Sequence, residues 1–557
     1  MSTNETITIY CKNNQKYYEF EAGISILEIY EQIDFKTPCL LTCCKVDNKN
    51  ENLNFRCYRS KDIEFLDITN PSGLRTYVRT LCFILSKAVN DCFPNSRMYI
   101  EHPLSKGYYC YLEIGRPISE QDVEVLKKRM WEIIDADYPM KVHREQTGKV
   151  VEMFRNAGKE DKARLFESCG QVYSIYHTLD NYLDFYNGAL LPSTKYIYMF
   201  ELTKYYDGVL LRIPSRENPR ELQSLIKQEK MMKVYQEEIE FLRVWGLMNV
   251  GDLNKAEEKG DIGLLIKVAE ALQEKQIAGI AATIAQKYKE GVRIVLIAGP
   301  SSSGKTTFCK RLQVQMMTNK INPIAISLDD YYVNRTDTPL GADGDYDFES
   351  LHAIDLKTFN DDLTKLLNGE EVALPTYNFV TGTRVYRGNS IKLEENTVLV
   401  MEGIHALNPE LTPQIDPAAT YKIYVSALTA ISLDDHNWIP TTDNRMIRRI
   451  VRDYQFRKYS AKQTIARWES VRQGEEKWIF PYQENADEMF NSAMLYELAA
   501  LRRFAEPILS QVMPSDPEYS EAYRLLKFLR FFKYIDINEL SSTSLLREFL
   551  GGSSFRY

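Results

Sequence analysis

A stretch near the middle of the chain has residue types and spacing that suit one chemistry. Its residues are Gly299, Pro300, Ser301, Ser302, Ser303, Gly304, Lys305, Thr306 and Thr307, which fit the pattern G-x-x-x-x-G-K-[ST]. Glycines let the backbone curl so that successive N–H groups point at phosphate oxygens. Lys305 would then bridge the β- and γ-phosphates, and the Thr306 hydroxyl would bind Mg²⁺. The stretch predicts a site for the phosphates of ATP or GTP together with magnesium.

Two further segments end in carboxylates that such a site could use. Ile324 to Leu328 predicts a buried strand that leads into Asp329 and Asp330, and Thr397 to Met401 predicts another that leads into Glu402. A carboxylate at such a strand end can take the proton of an attacking hydroxyl, or can hold Mg²⁺ and its waters. Asp329 is our candidate for the first role and Glu402 for the second. A turn or helix-cap Asp, and a simple acid at a strand end, remain the alternatives.

Five arginines near residue 450 lie on one predicted helix. They are Arg445, Arg448, Arg449, Arg452 and Arg457. The spacing i, i+3, i+7 places the first, second and fourth on one face, and Arg449 adjoins that face. Guanidinium groups on a closing helix would neutralise the charge that develops on a transferred phosphoryl group. A solvated basic face is the alternative, but the loop already implies an acidic ligand, so we favour a lid.

These side chains need a scaffold that brings strand ends together. From Val292 to about residue 505, short β-branched strands alternate with helices, a pattern typical of a parallel sheet. The strand Val292 to Ala298 precedes the loop, and an amphipathic helix from Phe308 to Met317 follows it. The carboxyl ends of strands in a doubly wound sheet face the ligand crevice. We therefore predict a P-loop α/β domain with a doubly wound parallel sheet at residues 290–505.

The rest of the chain predicts four further units. Residues 1–68 have the pattern of a small β-rich domain and residues 69–215 that of an α+β domain, with the cluster Asn70 to Gly73 as a turn between them. Residues 216–289 are rich in Glu and Lys with helical apolar spacing, which predicts a structural connector. Residues 506–557 predict a helical tail. We expect a multidomain α/β protein.

Composition narrows the class of protein. The chain of 557 residues is long for a single core, and its net charge of −8 argues against a broad basic surface for non-specific nucleic-acid binding. Its apolar runs are too short to span a bilayer, and Met1 to Glu5 lacks the features of a secretory signal. The ten cysteines show no zinc spacing and are expected to be reduced thiols. We expect a cytoplasmic protein with no membrane partner.

The segments from the loop to residue 487 resemble the uridine kinase family, in the P-loop group that also holds phosphoribulokinase. Besides the loop, the likeness is carried by Ser327 to Tyr332, Tyr346 to Asp355, Pro375 to Arg384, Met401 to Ile404, Asp443 to Asp453 and Pro481 to Asp487. The resemblance implies phosphoryl transfer from ATP or GTP to the 5′-hydroxyl of a nucleoside, with Asp329 as general base and Glu402 as the magnesium-associated acid. It implies lid roles for Arg449, Arg452 and Arg457, and a nucleoside pocket lined by Tyr332, Phe348 and Tyr377.

Two positions depart from that family. Where the family has an Asp against the ribose hydroxyls, this chain has Glu349, which is one methylene longer and can accept the same hydrogen bonds. Where uridine-cytidine kinases have a His that reads the pyrimidine edge, this chain has Gly382. A missing donor cannot discriminate bases by hydrogen bonding. The base therefore stays open, and so does a purine nucleoside or another sugar-like alcohol.

The N-terminal half has a second resemblance. Residues 1–68 resemble a TGS domain, the β-grasp module at the start of threonyl-tRNA synthetases, and residues 70–215 resemble the editing domain that follows it there. Gly107 to Leu112 and Ser119 to Met130 carry most of the second likeness. The synthetase domain needs an HxxxH pair, a Cys and a His, but the aligned positions here hold Arg79, Phe83, Tyr186 and Leu190. None is a usual zinc ligand. We expect no editing, and either a binding or a structural role.

Two other functions stay open beside a nucleoside kinase. One is a P-loop kinase of another small alcohol, such as pantothenate, a sugar phosphate or glycerate. The other is a nucleotide-sensing RNA-binding regulatory protein, against which the acidic charge and the missing metal ligands weigh. The expected partner is a small nucleoside, and a homo-oligomer stays open.

Overall fold

The computed structural model describes residues 5–341, 344–378 and 380–556. Met1 to Asn4 and Phe379, which belong to segments interpreted above, lie outside the described residues. Within the described ranges, no helix is both long and apolar enough to cross a membrane. All ten cysteines have free thiols.

The first unit is a five-stranded sheet that packs on one helix. Its elements are β1 (Thr6–Cys11), β2 (Lys16–Glu21), β3 (Ile24–Ser25), α1 (Ile26–Gln32), β4 (Leu41–Val46), β5 (Lys49–Glu51), β6 (Arg56–Cys57) and β7 (Lys61–Asp67). The sheet order is β2-β1-β7-β4-β5, and β1 and β2 form an antiparallel hairpin. Ser25 and Glu28 form a capping box that starts α1.

The second unit is a mixed α/β region. Its elements are α2 (Pro71–Cys92), β8 (Arg97–Leu104), β9 (Gly107–Glu113), α3 (Glu120–Asp135), β10 (Met140–Gln146), α4 (Thr147–Asn156), α5 (Glu160–Ser168), β11 (Tyr173–Leu179), β12 (Tyr182–Asp184), β13 (Glu201–Tyr205) and β14 (Gly208–Arg212). They form a four-stranded sheet in the order β13-β14-β9-β8 and a three-stranded sheet in the order β10-β11-β12. Ser119 caps α3.

The cluster Asn70 to Gly73 is the start of a helix, so its prediction as a turn was wrong. The Asn70 side chain accepts a hydrogen bond from the Ser72 N–H at 2.9 Å. Pro71 is the first residue of α2, where a missing N–H costs nothing. An Asn-Pro-Ser run suits a helix N-terminus as well as a turn, and the apolar residues that follow decide for the helix.

Three helices connect these units to the C-terminal half. They are α6 (Glu229–Trp245), α7 (Val250–Lys259) and α8 (Ile262–Lys289). The first residues of the predicted connector, 216–228, are described and form no helix. A capping box of Asn249 and Asp252 starts α7, and Gly246 ends α6 in the left-handed conformation.

The C-terminal half contains the predicted parallel sheet. Its elements are β15 (Ile294–Ala298), α9 (Lys305–Thr318), β16 (Asn322–Ser327), α10 (Leu356–Leu367), β17 (Val372–Asn378), β18 (Thr383–Ile391), β19 (Thr397–Glu402), β20 (Thr420–Ser426), α11 (Thr441–Phe456), α12 (Ala461–Ala466), α13 (Trp468–Trp478), β21 (Glu488–Asn491) and α14 (Glu497–Leu509). Five strands are parallel in the order β16-β19-β15-β20-β21. The predicted fold class, a multidomain α/β protein with a doubly wound sheet, is confirmed.

The tail continues the same body of the protein. It contains α15 (Tyr519–Leu529) and α16 (Arg547–Leu550), and the boundary placed near residue 505 lies inside α14. One hydrophobic core joins residues from the second unit, the connector, the sheet and the tail, among them Phe166, Ile277, Phe308, Phe531 and Leu545. The kinase-like region thus packs against segments that precede it and segments that follow it in the sequence.

Candidate active site

The loop from Gly299 to Thr307 joins the central strand β15 to α9, as its motif requires. A Cβ at Gly299 would lie 2.2 Å from the Val425 carbonyl oxygen, so only glycine lets the loop leave the sheet beside β20. Gly304 has a φ of +82°, and a Cβ there would lie 2.6 Å from the Leu545 side chain. Close approach and backbone conformation together explain both glycines.

Lys305, Thr306 and Glu402 meet at the carboxyl end of the sheet. The Thr306 hydroxyl donates to Glu402 Oε1 at 2.9 Å. Lys305 Nζ donates to the carbonyls of Gly299 and Pro300, at 2.8 and 3.1 Å. Burial raises the pKa of Glu402 and lowers the pKa of Lys305, and each charge partly offsets the shift of the other. The sequence placed Glu402 beside the loop correctly.

These oxygens suit magnesium. A hydroxyl and a carboxylate are hard ligands, and Mg²⁺ usually keeps several waters and takes further ligands from substrate phosphates. Among residues 5–341, 344–378 and 380–556 there is no group of three or more His, Cys, Asp or Glu that could enclose a metal ion. The site therefore fits a metal held jointly by Thr306, Glu402 and a nucleotide.

Asp329 and Asp330 have separate environments. Asp330 Oδ1 accepts a hydrogen bond from the Tyr377 N–H at 3.1 Å, a structural contact. Asp329 is exposed to the cleft, and the cap of its short turn is Ser327, whose hydroxyl accepts from the Asp329 N–H at 3.3 Å. Desolvation by the surrounding protein raises the pKa of Asp329, while the charge of Lys305 and a hydrogen bond from Tyr332 lower it. Asp329 is therefore not needed as a cap and is available to a ligand.

Two of the predicted lid arginines are buried supports of the loop. Arg445 pairs with Glu475 and also donates to the Ser301 carbonyl at 3.1 Å. Arg448 pairs with Glu497 and donates to the Ser302 carbonyl at 3.3 Å. Both arginines are at most 1% exposed. The interpretation of this face as a mobile lid is therefore wrong for these two, because buried ion pairs fix them.

The other three arginines surround one carboxylate next to the loop. Asp453 lies 3.3 Å from Arg449, 2.8 Å from Arg452 and 3.6 Å from Arg457. Arg449 also donates to the Ser301 hydroxyl at 2.7 Å, and Arg457 is close enough to lower the pKa of Asp329. One acid cannot neutralise three guanidinium groups, so this end of α11 carries excess positive charge toward the loop.

The aromatic residues expected to line a pocket do come together. The ring centroids of Tyr332 and Tyr377 are 5.6 Å apart at a steep angle, and those of Tyr332 and Phe348 are 6.5 Å apart. Glu349 lies beside them and packs on α13, because a Cβ at Gly474 would be 2.5 Å from its Cβ. Burial, with the nearby Glu475, raises the pKa of Glu349 to about 7.

Arg335 is a residue that the sequence interpretation missed. A Cβ at Gly382 would lie 2.8 Å from both Cβ and Nε of Arg335. The Arg335 N–H also donates to the Gly382 carbonyl at 2.8 Å. The guanidinium thus lies in the space that a side chain at position 382 would need, and nothing in the sequence pairs these two positions.

Two glutamates from distant segments accept hydrogen bonds from the loop. Glu475 accepts from the Ser301 N–H at 3.1 Å. Glu548, in α16, accepts from the N–H and the hydroxyl of Thr307 at 3.2 and 2.6 Å. These donors belong to the set that the motif assigns to phosphate. No pattern in the sequence connects either glutamate to the loop.

The four positions aligned with the metal ligands of an editing domain also lie together. The rings of Phe83 and Tyr186 are 5.1 Å apart. Arg79 Nε donates to the carbonyl of Ala189, next to Leu190, at 3.0 Å. An aromatic pair, a leucine and a guanidinium cannot hold zinc.

Comparisons with known proteins match two regions of the chain. Residues 294–498 match the model of the "Phosphoribulokinase / Uridine kinase family". The N-terminal region is similar to threonine–tRNA ligases: that of Symbiobacterium thermophilum is 28% identical over 199 residues, 34% of this chain and 30% of the ligase. That of Francisella tularensis is 23% identical over 186 residues, 33% of this chain and 29% of the ligase. The matches thus span about a third of the length of these relatives.

Two solved structures are also similar. A possible uridine kinase from Bacillus stearothermophilus is 18% identical with a TM-score of 0.26, over 38% of this chain and 97% of that one. A putative fructose transport system kinase from Silicibacter sp. TM1040 is 15% identical with a TM-score of 0.27, over 38% of this chain and 98% of that one. Likenesses this low carry no argument about a substrate. The family match, which covers residues 294–498, indicates a P-loop kinase region similar to the phosphoribulokinase/uridine kinase family.

Proposed function

We propose that this chain is a magnesium-dependent kinase that transfers the γ-phosphoryl group of ATP or GTP to the 5′-hydroxyl of a nucleoside. The observation that carries the proposal is the position of Asp329. Its carboxylate lies in the cleft near Lys305 and Glu402, and it hydrogen-bonds Tyr332 of the aromatic pocket. A group bound in that pocket would have its hydroxyl between the general base and the phosphate loop.

Each residue has a role that follows from its charge and position. Asp329 accepts the proton of the attacking hydroxyl, and the raised pKa makes it a stronger base than an ordinary Asp. Lys305 and the arginines at the end of α11 stabilise negative charge on the phosphoryl group in transfer. Bound magnesium would neutralise phosphate charge and polarise the phosphoryl group. The Thr306 and Glu402 oxygens would hold it.

The acceptor is bound through the pocket of Tyr332, Tyr377 and Phe348. These rings favour a planar base, and the Glu349 carboxylate can accept hydrogen bonds from two sugar hydroxyls. Arg335 supplies donors close to Gly382, where the related pyrimidine kinases have a His. A guanidinium can pair with acceptors on several bases, so the base stays open.

The contact between Glu548 and Thr307 favours a second candidate, a nucleotide-sensing protein. A carboxylate on the donors that should bind phosphate would hold the site in a low-affinity state. Such a protein would bind ATP without transferring its phosphoryl group.

One experiment separates the two. We expect the full chain to release ADP from ATP and Mg²⁺ only when one of a panel of nucleosides is present, with pantothenate, glycerate and sugar phosphates as competing acceptors. ADP release with one of those compounds and with no nucleoside would show that the acceptor is another alcohol. ATP binding with no release of ADP for any acceptor would support the sensor.

A further inference from the structure

A large cavity lies outside the candidate active site. Its volume is about 670 Å³, within the usual range of small-molecule sites. It lies where α2 of the second unit meets α11, α13 and α15, and we call it the junction cavity. None of the residues 299–307 is among the described residues that line it.

The wall of the junction cavity is rich in cations. Its basic side chains are Lys45, Arg75, Arg79, Arg216, Arg472 and Arg524. Most have an acidic partner: Arg75 lies 3.1 Å from Glu521, and Arg216 lies 2.9 Å from Glu469. These pairs leave little net charge of their own.

Arg79 is the exception. It forms no ion pair within the described part of the chain, and its recorded hydrogen bonds go to two neutral oxygens, the Ala189 carbonyl at 3.0 Å and the Thr76 hydroxyl at 3.3 Å. Burial, with the positive charges of Arg75 and Arg524, lowers the pKa of Arg79 to about 9. A guanidinium held in this way lacks a counter-charge, and an anion in the cavity would supply one.

Three helices direct their N-terminal ends at the same space. The second residues of α2, α11 and α15 all line the cavity, and all carry hydroxyls: Ser72, Thr442 and Ser520. The N-terminus of a helix carries partial positive charge, which suits phosphate. Acids in two of these first turns, Asp443 and Glu521, are both bound by Arg524.

The cavity also has an aromatic wall. Tyr108 and Trp438 both line it, with ring centroids 4.8 Å apart at 56°. Glu518, the one lining acid without an ion pair among the described residues, can accept from an amino or hydroxyl group. An unpaired cation, helix N-termini, a ring wall and a hydrogen-bond acceptor match the parts of a nucleotide: phosphate, base and sugar.

We propose that the junction cavity binds a free nucleotide, as a site separate from the phosphate loop. The phosphate contacts Arg79 and the helix N-termini, and the base lies against Tyr108 and Trp438. This binding does not depend on the proposed kinase activity.

The site is connected to the loop through α11. Arg75 binds Glu521, Glu521 binds Arg524, and Arg524 binds Asp443 in the first turn of α11 through two bonds of 2.6 and 2.8 Å. Further along the same helix, Arg445, Arg448 and Arg449 contact Ser301 and Ser302. A phosphate that competes for Arg75 or Arg524 alters this chain of contacts, so the nucleotide biases the position of α11.

The test uses calorimetry on the full chain with Lys305→Ala, which weakens binding at the phosphate loop. AMP, UMP, ADP and inorganic pyrophosphate are the probes. We expect one of the nucleotides to bind with a stoichiometry of one. Adding Arg79→Met should weaken that binding about tenfold or more, since it removes a charged hydrogen-bond donor. Arg56→Met, at an exposed arginine that is not among the residues lining the cavity, is the matched control and should leave the nucleotide affinity unchanged.

Folding checks and one more variant test whether a loss of binding comes from the site itself. Circular dichroism and the melting temperature check that Arg79→Met folds, and Arg79→Lys should restore part of the affinity by keeping the charge. Unchanged binding in a folded Arg79→Met variant overturns the site, and so does binding of an RNA oligonucleotide without any free nucleotide. The rate of amide exchange in residues 441–456 should change when the nucleotide binds, and no change would refute the coupling to α11. None of these readouts requires turnover, so failure of the kinase proposal remains separate.

Discussion

At the scale of residues, Asp329 and Asp330 provide a matched pair, because neighbours of one chemistry have different partners. Asp329→Asn should lower kcat by roughly 10²–10⁴, the usual contribution of a general base, with little change in ATP affinity. Asp330→Asn should mainly weaken the contact with the Tyr377 N–H, which raises KM for the acceptor and lowers the free energy of unfolding by about 1 kcal/mol. Steady-state kinetics and ATP titrations measure both. Equal kcat losses would remove Asp329 from its role.

Glu349 gives a prediction of pH dependence. Its pKa is raised to about 7 by burial and by Glu475, so it is ionised above that pH and protonated below it. Only the carboxylate accepts two hydroxyl hydrogen bonds, so acceptor binding should weaken by up to about tenfold per pH unit as pH falls below 7.

The measurement is the Kd of the nucleoside between pH 5.5 and 8.5, in an Asp329→Asn background that removes a neighbouring acid of the cleft. Glu349→Gln cannot ionise and should give a flat profile. A profile that still bends near pH 7 in that variant would assign the titration to another group.

The motif residues could be predicted from sequence because each role depends on residue type at a fixed short spacing. Lys305, Thr306 and Glu402 come together as expected, since strand ends in a parallel sheet share an edge. Arg335, Glu475 and Glu548 could not be predicted, because their contacts with Gly382, Ser301 and Thr307 depend on tertiary packing of distant segments. Arg445 and Arg448 were misread for the same reason: their burial comes from Glu475 and Glu497, which the helix pattern does not contain.

At the scale of elements, the periodicity of the sequence predicted where most strands and helices lie. The wrong predictions concern the ends of elements. The start of α2 was read as a turn, because Asn, Pro and Ser serve both structures. The parallel sheet was predictable since buried strands of β-branched residues alternate with helices. The position of α16 could not be predicted, because the sequence of such a short helix does not indicate which element it packs against.

The position of α16 gives a prediction about nucleotide affinity. Glu548 holds the N–H and hydroxyl of Thr307, so an incoming phosphate must displace a carboxylate. Glu548→Gln removes the negative charge but keeps the shape, and ATP should bind roughly tenfold tighter, the scale of one charge-assisted hydrogen bond. Titration of ATP and Mg²⁺ into both chains measures this change.

Glu539→Gln is the control for the tail, since Glu539 is exposed and pairs with Lys267 on the surface. It should leave ATP affinity unchanged. Weaker ATP binding in Glu548→Gln would mean that Glu548 supports the loop instead of competing with phosphate.

At the scale of the whole molecule, the two halves cannot be treated as separate proteins. The apolar core that contains Phe308 and the sheet also contains Phe166, Ile277 and Phe531. Domain boundaries could be predicted from changes in composition and periodicity along the sequence. A shared core could not be predicted, because the sequence does not show which element an apolar residue packs against. Functional tests therefore need the full chain.

A buried charge cluster also joins the halves, and it can be tested. Lys162 of α5 lies 3.3 Å from Asp161, 3.3 Å from Asp184 and 3.1 Å from Asp434, which follows β20 in the C-terminal half. All four are nearly or fully buried. Lys162→Met removes the cation that these three carboxylates share and should lower the free energy of unfolding by about 3–5 kcal/mol.

The loss should depend on pH with a definite sign. Burial raises the pKa of Asp434, and without Lys162 the folded state of the variant holds protons at a pH where the unfolded chain has released them. Its stability therefore falls as pH rises, so the deficit relative to the native chain should be smaller at pH 5 than at pH 8. Urea unfolding at both pH values measures this deficit.

Two further variants serve as controls. Asp434→Asn added to Lys162→Met should recover part of the lost stability. Lys195→Met, at an exposed pair with Asp135, should lower the free energy of unfolding by under about 0.5 kcal/mol. A deficit that grows as pH falls would show that the cluster does not carry the charges assigned to it.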